Sequence, residues 1–224
     1  MPLVTPKVAI VDYALGNLYS IKHACDRVGL ASIITASKDE ILRADAVLLP
    51  GMGAYGDAMQ TLHKLDLVTV LRDVAASGRP LIGICLGIQL LLSESLEFGN
   101  HKGLGIIEGS VVPLNHPVEG DRNLKVPQIG WNQILAVRNW QNTPLQNVPN
   151  GEYMYFVHSF VPQPDDASLV LTKTNYGGVE FCSSLQQENI FACLFHPERS
   201  GIQGLKIYEN ISRQISKTMG GIQA

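Results

Sequence analysis

Cys85 stands in the run Pro80-Leu81-Ile82-Gly83-Ile84-Cys85-Leu86-Gly87-Ile88-Gln89, where an apolar β-like stretch stops and a helical pattern starts without a loop between them. Glycines two residues to either side make Gly83-Ile84-Cys85-Leu86-Gly87 a G-x-C-x-G nucleophile elbow. Such a strand-to-helix turn strains its backbone and closes only when its neighbours are small. A thiol at a helix N-terminus faces unpaired N–H groups and the positive end of the macrodipole, which favour thiolate over thiol. The competing role, a buried structural cysteine, is the usual fate of a free thiol and is the one expected of Cys25, Cys182 and Cys193.

A nucleophilic thiol needs a base, and the base needs an orienting group. Phe195-His196-Pro197-Glu198 supplies both just after an apolar run. In extended backbone, residues i and i+2 project to the same side, and Pro197 biases His196 away from helical dihedrals. Glu198 is therefore expected to hold one imidazole nitrogen while the other faces Cys85. Acyl transfer also requires donors for a developing oxyanion. The glycines of Leu49-Pro50-Gly51-Met52-Gly53-Ala54 allow that loop to turn N–H groups toward the site, where the Leu86 N–H would join them. Taken alone, Pro-Gly-x-Gly is a common turn.

The elements that must position these groups follow a βα alternation: strands at 8–11, 46–49 and 81–84, with helical patterns at 17–28 and through Val74. Such alternation predicts βαβ units, and the continuously apolar strands predict a parallel sheet covered by helices on both faces. Strand-like runs at 106–112, 133–137, 153–157, 168–172 and 179–182 read as mostly antiparallel additions, and the Pro- and Asn-rich stretch 139–151 reads as a surface loop. A last strand, 190–195, leads to a helix over 205–216. In a parallel α/β sheet functional groups gather at the strands' carboxyl ends, which is where Cys85 and His196 fall.

Composition excludes several function classes. The 224 residues carry 46% hydrophobic and 17% charged side chains, which suits one globular domain spanning 1–224. A net charge of −3 and a pI near 6.0 give no reason to expect a nucleic-acid partner. The longest apolar stretch, 80–92, is broken by Gly83, Gly87 and Gln89 and is too short to span a membrane. The N-terminus lacks the basic and apolar regions of a secretory signal, so the expected location is cytoplasmic, with all four cysteines as free thiols.

Together these segments resemble the class I, triad-type glutamine amidotransferases over nearly the whole chain. The elbow through Gln89 and His196-Pro197-Glu198-Arg199-Ser200 are similar to that family's two catalytic signatures. Asp12-Tyr13-Ala14-Leu15-Gly16-Asn17-Leu18, Leu49-Pro50-Gly51-Met52-Gly53, Pro127-Gln128-Ile129-Gly130-Trp131-Asn132 and Tyr155-Phe156-Val157-His158-Ser159-Phe160 narrow the resemblance further. They look like segments of the glutaminase subunit of imidazole glycerol phosphate synthase.

The resemblance implies a flavodoxin-like α/β fold and L-glutamine hydrolysis through a thioester at Cys85, with His196 as acid/base and Glu198 as orienter. It implies an oxyanion hole from Met52, Gly53 and Leu86, and glutamine held by Gly51, Gln89, Ser159 and Phe160. It implies ammonia passed to a cyclase subunit in a heterodimer of histidine biosynthesis, met through Asn17, Gln128 and Trp131, with no metal and no cofactor. Three departures stand out: Ala14 where glycine is frequent, Met52 in place of valine, and Leu194 in place of glutamine. Two alternatives share the same triad. One is the glutaminase subunit of another synthase, such as that for pyridoxal phosphate or anthranilate; the other is a stand-alone cysteine amidohydrolase.

Overall fold

The computed structural model of the chain describes residues 5–221. Its first half alternates β1 (Lys7–Val11), α1 (Leu18–Arg27), β2 (Ala31–Thr35), α2 (Lys38–Arg43), β3 (Ala46–Gly51), α3 (Tyr55–Lys64), α4 (Leu67–Ala76), β4 (Leu81–Cys85) and α5 (Leu86–Leu90). Further strands follow: β5 (Leu92–Ser95), β6 (His101–Lys102), β7 (Ile107–Pro113), β8 (Val118–Glu119), β9 (Arg122–Asn123), β10 (Gln128–Gln133), β11 (Leu135–Ala136), β12 (Tyr153–His158) and β13 (Phe160–Pro164). The described chain closes with β14 (Val170–Tyr176), β15 (Val179–Gln187), β16 (Ile190–Cys193) and α6 (Gly201–Gly221).

The main sheet runs β11-β14-β15-β16-β4-β3-β1-β2. Its five strands from β16 to β2 are parallel, and β15, β14 and β11 extend it antiparallel, as the alternation predicts. Every residue of β3, β4 and β16 is buried, which requires cover on both faces. Two groups of helices supply it: α1 packs with α6, and α2 to α5 form a second contiguous set. The amphipathic faces are apolar at helical spacing, with Ile21, Ala24 and Cys25 on α1 and Ile207, Tyr208, Ile211 and Ile215 on α6 all buried. Among the described residues no helix is long and apolar enough to cross a membrane.

Register decides what meets at the carboxyl edge. Gly51 of β3 pairs with Cys85 of β4, and Ile84 pairs with Cys193 of β16. Three adjacent strands thus end level with one another. A second sheet, β13-β7-β5-β6, and the ribbon β10-β12 stand beside this edge.

Several expected elements differ. The helical pattern through Val74 is two helices, broken where Asp66 takes a left-handed φ of 52°, a conformation Asp tolerates. The apolar run after Cys85 is helical only to Leu90; Leu92 already belongs to β5, because a fully buried run carries no period to separate helix from strand. β5 pairs parallel with β7, an exception among the mostly antiparallel additions. The strand expected at 168–172 begins at Val170, since Asp166 accepts the Ser168 N–H at 2.8 Å and holds a short 3-10 turn. The stretch 139–151 is irregular but not superficial. Trp140, Leu145 and Val148 are buried, and Asn210 of α6 donates to the Pro144 and Gln146 carbonyls at 2.9 and 2.7 Å.

The elbow's small residues are enforced by this packing. A Cβ on Gly87 would overlap the Leu49 carbonyl oxygen of β3, and one on Gly83 would press on Gly87, Leu91 and Ala192 at 3.0–3.1 Å. Gly87→Ala is expected to cost about 1–3 kcal/mol, or roughly 2–10 °C in thermal melting. Circular dichroism melts of the two chains read this directly, and coincident curves would mean that α5 can lift from β3 without strain.

Candidate active site

Cys85 closes β4 and is the N-cap of α5, with φ 55° and ψ −111°. A side-chain-bearing residue reaches this region only when its surroundings impose it. Here the strand on one side and the helix packed against Leu49 on the other leave no alternative path. The thiol is 6% exposed, and its Sγ lies 3.7 Å from the Val157 carbonyl.

His196 follows β16 and keeps extended backbone, φ −102° and ψ 94°, as the following proline requires. Its Nδ1 is 2.7 Å from Glu198 Oε1, and the ring lines the same cleft as Cys85, close enough for the sulfur's charge to act on it. Sulfur, imidazole and carboxylate therefore converge. The route differs from the extended i, i+2 geometry expected, because Pro197–Arg199 is a 3-10 turn that curls Glu198 back under the ring. Ser200 fixes that turn: its Oγ donates to the His196 carbonyl at 2.6 Å and accepts the Tyr155 N–H at 3.0 Å. The His196 N–H reaches the Tyr155 carbonyl at 2.8 Å. Ser200 lies within the second catalytic signature, yet its task is illegible in the sequence, since a clamp to β12, 45 residues away, has no local signal.

A cleft of about 280 Å³ opens over the sulfur, lined among others by Met52, Gly53, Leu86, Gln89, Glu97, Ser159, Phe160 and His196. It is small beside the roughly 300–1,000 Å³ of drug-sized sites, and so suits a compact ligand. Leu86 opens α5, where first-turn N–H groups have no helical partner. Gly53 has φ 104°, and a Cβ there would make only ordinary contact with Leu15 at 3.8 Å, while Met52 beside it is 47% exposed. Gly51, expected against substrate, lies beneath the cleft instead: a Cβ there would collide with the Tyr13 hydroxyl, which donates to the Pro50 carbonyl at 2.6 Å.

Gln89 is buried and donates to the Phe160 carbonyl at 3.1 Å. The same oxygen is 3.2 Å from His158 Nδ1. Burial pushes the His158 pKa down to about 4, with the Phe160 hydrogen bond opposing and the His196 charge adding to the drop, so the ring is neutral. Gln128 Oε1 lies 3.1 Å from Nε2; with Nδ1–H donating to Phe160, Nε2 is an acceptor, so the pair is satisfied once the Gln128 amide is rotated to exchange its oxygen and NH2. Gln128, expected on the partner-facing surface, thus has its side chain turned inward, 3% exposed. Asn17 at the cleft mouth and Trp131, 55% exposed, are open to solvent. Trp131 meets the Tyr155 ring edge-on at 6.0 Å, and Arg199 sits 4.7 Å over that ring.

Glu97 is a carboxylate of the cleft that sequence reasoning missed. Its carboxylate accepts the Tyr55 N–H and so caps α3, whose own N-cap Ala54 offers no side chain. The cap spans 42 residues and leaves no trace in local spacing.

The family model described as glutamine amidotransferase class-I matches residues 9–214. The imidazole glycerol phosphate synthase subunit HisH of Aquifex aeolicus is 42% identical over 94% of this chain and 98% of its own. That of Geobacter sulfurreducens is 42% identical over 91% and 97%. This chain belongs to the HisH family of class-I glutamine amidotransferases. In fold it is similar to PurLQS from Thermotoga maritima, with TM-score 0.71 and 21% identity over 94% of this chain and 99% of that one. A glutamine amidotransferase from Thermotoga maritima gives TM-score 0.61 and 13% identity over 97% of this chain and 86% of that one. The departures from the amidotransferase pattern have local readings. Ala14 takes φ 65°, which glycine adopts without strain, so the frequent glycine is the relaxed choice there. Leu194 is fully buried and touches nothing in the cleft.

Electrostatics complete the amidotransferase site. Burial alone would depress the His196 pKa; the Cys85 sulfur, through charge and hydrogen bond, and then Glu198 outweigh it and raise it from 6.5 to about 10. A raised pKa means that this arrangement stabilises the fold fully below about pH 6.5 and loses its contribution as pH climbs through about 10. Replacing Cys85 by Ala leaves burial opposed by Glu198 alone, so the His196 midpoint should fall below that of the wild type. NMR titration of the ring Cε1–H measures it, and an unmoved midpoint would mean that the sulfur carries no charge beside the ring.

Proposed function

We propose that this chain is the glutaminase subunit of an imidazole glycerol phosphate synthase, working as a single domain over 1–224. The observation that carries the chemistry is the meeting of Cys85, His196 and Glu198 at one edge, beneath a cleft sized for an amino acid. The 40–42% identity to HisH subunits over nine-tenths or more of the chain supports the choice of synthase.

The Cys85 thiolate attacks the carboxamide carbon of L-glutamine, and the new oxyanion accepts hydrogen bonds from the Leu86 and Gly53 N–H groups. His196, held as imidazolium by the sulfur and Glu198, gives its proton to the departing amine. Ammonia leaves and a γ-glutamyl thioester remains. Water then attacks the thioester, His196 takes the water's proton, and glutamate departs as the thiolate re-forms. Gln89 braces the Phe160 backbone and, with Ser159, the wall that holds glutamine. Glu97 is the carboxylate placed to receive the substrate's ammonium group.

The ammonia passes to a cyclase subunit in a heterodimer, and the pair works in the cytoplasm. The β10-β12 ribbon offers it Ile129, Trp131 and Tyr153, which are 63%, 55% and 51% exposed and make an apolar face beside the cleft. Asn17 and Met52 stand at the cleft mouth on the same approach. The peptide between Met52 and Gly53 turns its donor into the hole when the cyclase binds its nucleotide, because Gly53 tolerates the dihedrals on both sides of that flip.

Cys85→Ala should abolish glutamine hydrolysis by more than about a thousandfold while ammonia-driven synthesis by the assembled pair continues. Equal loss of both activities would make the cysteine structural. Glu198→Gln should cost less than the cysteine change by about one to two orders of magnitude, since it disturbs orientation without deleting the attacking atom. The isolated chain should turn glutamine over slowly and accelerate when cyclase and nucleotide are added; full speed without them would point to a stand-alone hydrolase.

A further inference from the structure

The triad as described uses one oxygen of Glu198. The side chain is fully buried, its Oε1 is committed to His196, and its Oε2 has no hydrogen-bond partner among the described residues. A buried carboxylate oxygen without a donor is costly, and a negative oxygen lacking support would let the group that aligns the imidazole rotate. Cys193 lies near but aims its thiol at the Phe195 carbonyl, 3.4 Å away. The Tyr208 hydroxyl, in a fully buried side chain, is a donor that likewise has no partner among the described residues.

Helix geometry brings the two together. Gly204 packs so closely on the 197–199 turn that a Cβ would overlap the Pro197 carbonyl oxygen, and its N–H donates to the Ser200 carbonyl at 3.1 Å. Tyr208 lies one turn further along the same face of α6. Helical side chains lean toward the N-terminus, so its ring points back over Gly204 toward the turn that carries Glu198. The Glu198 charge is felt there: with burial first, it pushes the phenol well above its usual range, and Tyr208 keeps its proton to donate.

We propose that Tyr208 is a positioning residue of the active site, its hydroxyl holding Glu198 Oε2 through one buried water. This rests on the role given to Glu198 above. A water suits the place because both groups are polar and neither has a direct partner among the described residues.

The test is glutamine hydrolysis by the assembled synthase carrying Tyr208→Phe, alone and combined with Glu198→Ala. In the otherwise wild-type chain kcat should fall about three- to tenfold with KM unchanged, because Tyr208 does not touch the cleft. With Glu198 already replaced, Tyr208→Phe should cause no further loss. Equal losses in both backgrounds would reduce Tyr208 to packing and overturn the proposal. So would wild-type kcat in Tyr208→Phe beside an impaired Glu198→Ala, which leaves the triad intact. Wild-type rates in both single variants would instead remove Glu198 from the mechanism and this role with it. A high-resolution crystal structure of the wild-type complex reads the contact without mutation. A water about 3 Å from both oxygens supports it, and a dry gap overturns it.

Discussion

The level ending of three parallel strands is the constraint on which everything else hangs. β4 lies between β3 and β16, with Gly51 beside Cys85 and Cys193 beside Ile84. A parallel ladder allows no slippage by one residue, since that would exchange every side chain between faces, and these strands are buried on both. The loop after β3, the elbow after β4 and the turn after β16 therefore emerge side by side. The loop through Gly53, the Cys85 thiol and the His196 ring are neighbours because their strands are.

Strain and burial are concentrated where that edge meets the chemistry. Cys85 is held at φ 55° by a helix seated directly on the β3 backbone, and the 197–199 turn is clamped to β12 through Ser200. Burial works against charge at His196, and only the adjacent sulfur and carboxylate reverse its effect. At His158, with a backbone carbonyl and an amide as partners, the same burial wins and the ring stays neutral. Two histidines near one cleft thus differ in charge for reasons of neighbours, not of exposure.

The irregular segments contribute more than loops usually do. Residues 139–151 bury Trp140 and Leu145 and are tied to α6 through Asn210, and the 96–100 loop sends Glu97 both to the cleft and to the start of α3. β13, with Pro162 and Pro164, survives as a strand because it is the outer edge of its sheet, where a missing N–H costs least. β10 was hidden for the opposite reason: its apolar Ile129 and Trp131 lie on the exposed face while Gln128, Gly130 and Asn132 take the inner one, the reverse of a core-facing pattern.

The sequence by itself determined the alternating βα order and the elbow, and it named Cys85, His196 and Glu198 as the candidates for the proposed triad. These are local matters: apolar runs of strand length, glycines at the two positions a sharp turn needs, and a proline that keeps His196 extended. Tertiary structure alone decided the contacts that join distant segments. Ser200 clamps a strand 45 residues away, Glu97 caps a helix 42 residues back, Gln128 turns inward to His158, and Gly51 lies under the cleft because Tyr13 fills the space beside it. Short-range spacing reports backbone conformation, whereas a hydrogen bond across the sheet depends on which strands become neighbours, and no residue pattern encodes that neighbour before the chain has folded.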